Sequence, residues 1–168
     1  RPLDAADDTW IDEVVDLIKS RGGEAVANYD SVADYDSAGN IIKTAIDTFG
    51  RLDVLVNNAG ILRDKMMFSM TPEDFEAVVK VHMYGSFNTM QHASAYWRNE
   101  SKEGRQPSAS IINTVSSAGL QGQASQINYR AAKAGIAALT LIAGPAPPRH
   151  CRRPHTRRPR GAPPPAAP

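Results

Sequence analysis

Arg51-Leu52-Asp53-Val54-Leu55-Val56-Asn57-Asn58-Ala59-Gly60 decides the fold. An apolar, β-branched run ends abruptly in two amides, an alanine and a glycine. A strand that is apolar on both faces belongs in a parallel sheet buried under helices. Its polar end then falls at the carboxyl edge of the sheet, where open α/β sheets bind their ligands. Ser110-Ile111-Ile112-Asn113-Thr114-Val115-Ser116-Ser117 repeats the pattern, a β-branched run followed by hydroxyls and Gly119.

Working outward, strands alternate with helices. Trp10, Ile11, Val14, Val15 and Ile18 repeat on one face and predict a helix from Thr9 to Lys19, ended by Gly22-Gly23. Ala25 to Asn28 reads as a short strand. Ile41, Ile42, Ala45, Ile46 and Phe49 mark the next helix, closed by Gly50, and the strand Leu52 to Asn57 follows. Thr71-Pro72-Glu73-Asp74 is a helix start, with a capping hydroxyl, proline in the first turn and acids facing the dipole. That helix is expected to run to about Trp97. A polar loop, Asn99 to Pro107, leads to the strand that ends at Ser116. Such alternation predicts an α/β fold of one domain, a doubly wound, Rossmann-like parallel sheet. Met66, Met67 and Met70 read as packing residues, as do Trp10 and Trp97, and no internal repeat is present.

The chemistry sits in Tyr129-Arg130-Ala131-Ala132-Lys133. Tyr129 and Lys133, four apart on a helix, project from one face. An ammonium beside a phenol favours the phenolate, which suits the tyrosine to proton exchange with a carbonyl or alcohol. Ser116, at the end of the preceding strand, is placed to hold the substrate oxygen; Ser117 is the alternative, one residue out of register. Two strands with polar ends and a helix carrying Tyr and Lys form one coherent site.

Taken together, these motifs resemble the short-chain dehydrogenase/reductase family from about Val14 to Ala143. Asn57-Asn58-Ala59-Gly60 matches its Asn-Asn-Ala-Gly signature, and Ser116 precedes Tyr129 at the family's separation. Ala27-Asn28-Tyr29-Asp30-Ser31-Val32 and Gly60-Ile61-Leu62-Arg63-Asp64 look most like the hydroxyacyl-CoA dehydrogenase branch. The resemblance implies hydride transfer between NAD or NADP and a secondary alcohol or ketone, with a 3-hydroxyacyl thioester such as an acyl-CoA as the branch's substrate. It implies Tyr129 as general acid/base, Lys133 as the group that tunes it and binds the nicotinamide ribose, and Ser116 as the polariser of the carbonyl. It places Asn57, Ala59, Gly60 and Val81 along the cofactor, with Asp30 and Ser31 near the adenine. The family's fourth residue, an asparagine with a proton-relay role, falls here at His82. Members are commonly homo-oligomers.

Both ends depart from the family pattern. None of the 12 glycines stands in the Gly-x-x-x-Gly-x-Gly turn that receives the cofactor pyrophosphate. The sequence therefore reads as lacking the amino-terminal part of its parent domain, and its acidic opening has no targeting character. At the other end, Gly144-Pro145-Ala146-Pro147-Pro148 stops the helix. The tail from Gly144 to Pro168 holds 9 of the 12 prolines and 6 of the 19 basic residues with no acid. It reads as a disordered segment, and its abrupt composition reads as a shifted frame in GC-rich coding sequence. The expected organisation is a partial dinucleotide-binding domain over 1–143 and this tail over 144–168. A catalytically inactive fragment, unable to bind cofactor, is then the alternative to an active oxidoreductase.

The tail also explains the net charge of +1, because the remainder carries 13 basic against 18 acidic residues. That excess of acid argues against a nucleic-acid partner. The only cysteine, Cys151, gives neither a disulfide framework nor a metal-ligand spacing, so a reducing, cytoplasmic setting is expected. No apolar run approaches the ~20 residues that cross a membrane.

Overall fold

The structure, a computed structural model, describes residues 9–117 and 124–143. The tail, Gly119 and the opening residues 1–8 lie outside these. In chain order the described elements are α1 (Thr9–Ser20), α2 (Tyr35–Phe49), β1 (Val54–Asn57), α3 (Pro72–Val79), a π-helical turn (Lys80–Tyr84), α4 (Gly85–Lys102), β2 (Ser110–Asn113) and α5 (Ile127–Ala143). β1 and β2 pair in parallel, Val54 opposite Ser110 through Asn57 opposite Asn113. The crossover between them is the long α3–α4 segment, as a parallel pair requires.

Local chemistry sets the element ends. Asp34 caps α2 by accepting from the Ser37 amide at 2.8 Å. Gly50, at φ 74°, closes the same helix in the left-handed conformation, and its amide bonds back to the Ile46 carbonyl. Thr71 and Asp74 form the reciprocal capping box of α3, with Pro72 just inside it. Lys65 Nζ lies 2.7 Å from the Asp74 carboxylate, tying the preceding loop to that helix start.

The core gathers Ile42 of α2, Leu55 of β1 and Met90, Ala93 and Trp97 of α4. Fully burying side chains of this size stabilises by about 1.5–3 kcal/mol each. Trp97 also donates its indole N–H to the Leu52 carbonyl at 2.6 Å, so its polar edge is satisfied. A second contact joins α3 to α5 through Val78, Ala132 and Ile136, each at most 1% exposed. Both contacts brace β1 and β2 so that their carboxyl ends face α5.

Four expectations are corrected. Ala25 to Asn28 forms no strand: residues 23–31 have no regular secondary structure, and among the described residues the sheet of β1 and β2 offers them no ladder partner. Asn28 instead pins this stretch to α2 through Thr44 Oγ1 at 2.9 Å. The helix from Thr71 does not run unbroken to Trp97; the π turn at Lys80–Tyr84 interrupts it, and α4 continues to Lys102. Trp10, unlike Trp97, is 46% exposed, because the apolar stripe of α1 faces outward. Met66 and Met67 are exposed rather than packed, since they sit in the turn before α3.

Candidate active site

The carboxyl end of β2 meets α5, Thr114 at Lys133 and Asn113 at Thr140. Asn128 fixes that helix start. It is fully buried, its Nδ2 donates to the Arg63 carbonyl at 3.0 Å and the Asp74 carbonyl at 3.2 Å, and its Oδ1 accepts the Tyr129 amide at 2.8 Å. Tyr129 and Lys133 then share the inward face. Lys133 is 4% exposed and donates from Nζ to the Thr114 carbonyl at 2.7 Å. The same ammonium lies 5.7 Å from the centre of the Tyr129 ring. Burial pushes Lys133 below the usual lysine value, because the charged form loses hydration. A buried cation needs acceptors, and the backbone just past β2 supplies one.

His82 stands beneath the tyrosine. Its ring meets that of Tyr129 edge-on, with centroids 5.2 Å apart and planes at 89°. Nε2 lies 2.8 Å from the Ile61 carbonyl and 3.1 Å from the Ile61 amide. Nδ1 is buried, with no hydrogen-bond partner among the described residues. Burial first, and the Lys133 charge as well, push His82 below its ordinary value, which the Ile61 backbone only partly offsets. Gly60 makes this approach possible, since a Cβ there would stand 2.3 Å from His82 Cε1. The backbone carbonyl of His82 accepts the Ser86 hydroxyl at 2.8 Å.

A chain of amides and hydroxyls locks the sheet edge. Asn57 donates to Asn113 Oδ1 at 2.9 Å and accepts from Thr89 at 2.7 Å. Asn113 donates onward to Thr140 of α5, and Thr114 donates to Asn58 Oδ1, both at 2.9 Å. Beside this network lies a cavity of about 90 Å³, walled in part by Asn57, Ala59 and Val81. Val32 lines it too, so Asp30 and Ser31 sit two residues and one residue from its rim. The Asp30 carboxylate is engaged by Asn28 Nδ2 at 2.9 Å, and Ser31 Oγ accepts the Ala33 amide at 3.2 Å. Ser116 is half-buried, three residues past β2.

The structure thus brings Gly60, His82, Tyr129 and Lys133 into one cluster and Asn57, Ala59 and Val81 into the adjoining cavity. The carboxyl end of a parallel strand is where open α/β sheets bind their ligands. A wider groove of about 280 Å³ lies at the opposite end of β1, between Arg51 and Arg105. Its cations are already paired, Arg51 with Asp53 and Arg105 with Glu100 and Glu103.

Sequence reasoning missed Asn128, Asn113, Thr114 and the π turn. The first had a signal, an asparagine placed where it can accept the amides of a helix start. The π turn had none, because one extra residue in a helical register leaves the composition unchanged.

The sequence profile of the short chain dehydrogenase family matches residues 5–144. The peroxisomal hydratase-dehydrogenase-epimerase of Neurospora crassa is 50% identical over 129 residues, covering 77% of this chain and 13% of that protein. Hydroxyacyl-CoA dehydrogenase ChsB1 of Mycobacterium tuberculosis is 43% identical over 143 residues, 84% of this chain and 44% of that one. A crystal structure of a short chain dehydrogenase from Mycobacterium avium superimposes with a TM-score of 0.77 at 57% identity, over 79% of this chain and 46% of that one. The chain spans less than half the length of each of these relatives. With a profile matched over most of its length and an α/β fold built on parallel strands, the chain belongs to the short-chain dehydrogenase family.

Proposed function

We propose that this chain carries the proton-transfer site of an NAD- or NADP-dependent oxidoreductase that interconverts a secondary alcohol and a ketone. The observation that carries this reading is the pairing of Tyr129 with a buried Lys133 whose ammonium is anchored on the Thr114 carbonyl. Tyr129 gives its phenolic proton to the substrate oxygen during reduction and takes it back during oxidation. Lys133 holds positive charge beside the phenol while that proton is away. Ser116 holds the substrate oxygen, and Asn57, Ala59 and Val81 in the cavity, with Gly60 beside them, hold ribose and base. When bound, the nicotinamide supplies or accepts the hydride.

Relatives that include a hydroxyacyl-CoA dehydrogenase support a substrate class. We assign a 3-hydroxyacyl thioester, an acyl-CoA in kind, and a homo-oligomeric parent. The sequence favours a cytoplasmic setting; the peroxisomal names of relatives such as the Neurospora crassa protein make the peroxisome the competing one. Among the described residues no helix is long and apolar enough to cross a membrane.

A second reading concerns these 168 residues by themselves: the proton-transfer groups are present without productive cofactor binding. It is favoured by the lack of any Gly-x-x-x-Gly-x-Gly spacing among the 12 glycines. Incubating the chain with a 3-hydroxyacyl thioester and each oxidised nicotinamide, followed by absorbance of the reduced form, separates the readings. Turnover that vanishes in Tyr129→Phe while cofactor affinity persists is the expected result. Turnover retained by Tyr129→Phe sinks the assignment, and none in the unmodified chain favours the second reading.

A further inference from the structure

We propose that His82 acts as a positioning residue for Tyr129 rather than as a proton carrier, with its ring as the working part. The proposal deepens the reading of the site given above and rests on it. Three contacts support it. The ring is 3% exposed and packs edge-on against Tyr129. Its Cε1 fills the space left by the missing side chain of Gly60, so the turn after β1 presses on the imidazole. Nε2 is committed to the Ile61 backbone, donating to the carbonyl in one tautomer or accepting the amide in the other.

The stack therefore reads Gly60, His82, Tyr129: sheet edge, π turn, helix α5. Movement of the Asn57–Gly60 edge is transmitted to the phenol through a rigid, planar spacer. A proton carrier needs a hydrogen-bonded route in and out. Here Nε2 is engaged by the Ile61 backbone and the backbone carbonyl by the Ser86 hydroxyl. Desolvation also disfavours the charged imidazolium that proton carriage would form. The five-residue π turn matters because its one extra residue shifts the helical register, so an unbroken α-helix would turn the residues beyond it by about 100° relative to those before it.

The test is aromatic and imidazole NMR on the full chain, with the Tyr129 signals assigned through Tyr129→Phe. In His82→Phe, which keeps a ring, the ring-current shifts of Tyr129 are expected to stay near those of the unmodified chain. In His82→Gln, which keeps a hydrogen bond to Ile61 but no ring, they are expected to collapse toward exposed-tyrosine values. The reverse pattern, or identical shifts in both variants, overturns the proposal. If either variant fails to fold, the unmodified chain still decides: imidazole nitrogen signals must show His82 titrating below 6.5, the ordinary histidine value. A His82 that titrates at or above that value is a proton carrier, and the proposal fails. Neither readout needs cofactor or turnover, so an inactive chain would favour the second reading of the function without touching this result.

Discussion

Gly60→Ala is the perturbation whose magnitude the structure fixes best. The added Cβ would stand 2.3 Å from His82 Cε1 and 3.0 Å from Nε2, where ordinary contact begins at 3.4 Å. Gly60 has no left-handed φ, so alanine meets a packing obstacle there and no backbone strain. The imidazole must therefore retreat by more than an ångström, and it has nowhere to go. Tyr129 lies on one side, Ile61 holds Nε2, and the ring is 3% exposed. Overpacking of this kind costs about 1–3 kcal/mol. With a urea slope of ~1–3 kcal/mol/M for a small domain, the unfolding midpoint should fall by about 1 M. The assay is urea unfolding followed by Trp97 fluorescence, in the unmodified chain and in a His82→Ala background. With the ring gone, Gly60→Ala should cost less than about 0.5 kcal/mol, so the two changes should couple strongly. An equal loss in both backgrounds would refute the claim that Gly60 exists to admit His82.

Two further predictions concern the core and the pH response. Trp97→Phe keeps an aromatic ring but leaves the Leu52 carbonyl without its 2.6 Å donor, so stability should fall by about 1–3 kcal/mol; an unchanged melting curve would show that bond to be idle. His82 is held below its ordinary value of 6.5, chiefly by burial. The unfolded chain then takes up its proton first as pH falls through 6.5, so the unfolded state binds more protons and stability declines toward acid. Urea midpoints from about pH 8 to about pH 5 should drop more steeply in the unmodified chain than in His82→Gln, and parallel profiles would exclude His82 as the cause.

Where the sequence carried local chemistry, it was legible. The apolar run ending in Asn57-Asn58 gave β1, the Thr71/Asp74 pair gave the start of α3, and the Tyr129/Lys133 spacing gave the shared face of α5. Failures came where neighbours decide. Ala25 to Asn28 has the composition of a strand, but a strand exists only through a ladder, and the sheet offers it none. Trp10 has the periodicity of a packed residue, yet α1 turns its apolar stripe outward. The long helix after Thr71 looked continuous because a π turn adds one residue without changing residue types. His82 was found through its place in the family pattern. Its wedge between Gly60 and Tyr129 needed coordinates, since residues 60, 82 and 129 are brought together only by tertiary packing.

The proposed function requires Asn57–Gly60, Val81–His82 and Tyr129–Lys133 to form a single nicotinamide-cofactor edge. The first measurement is amide NMR of the isotope-labelled chain, titrated with NADH and separately with NADPH. Shift changes should be confined to those three segments, with Tyr129 and Lys133 among the most affected. Spectra unmoved at millimolar cofactor, or changes centred on the Arg51–Arg105 groove at the far end of β1, would contradict it.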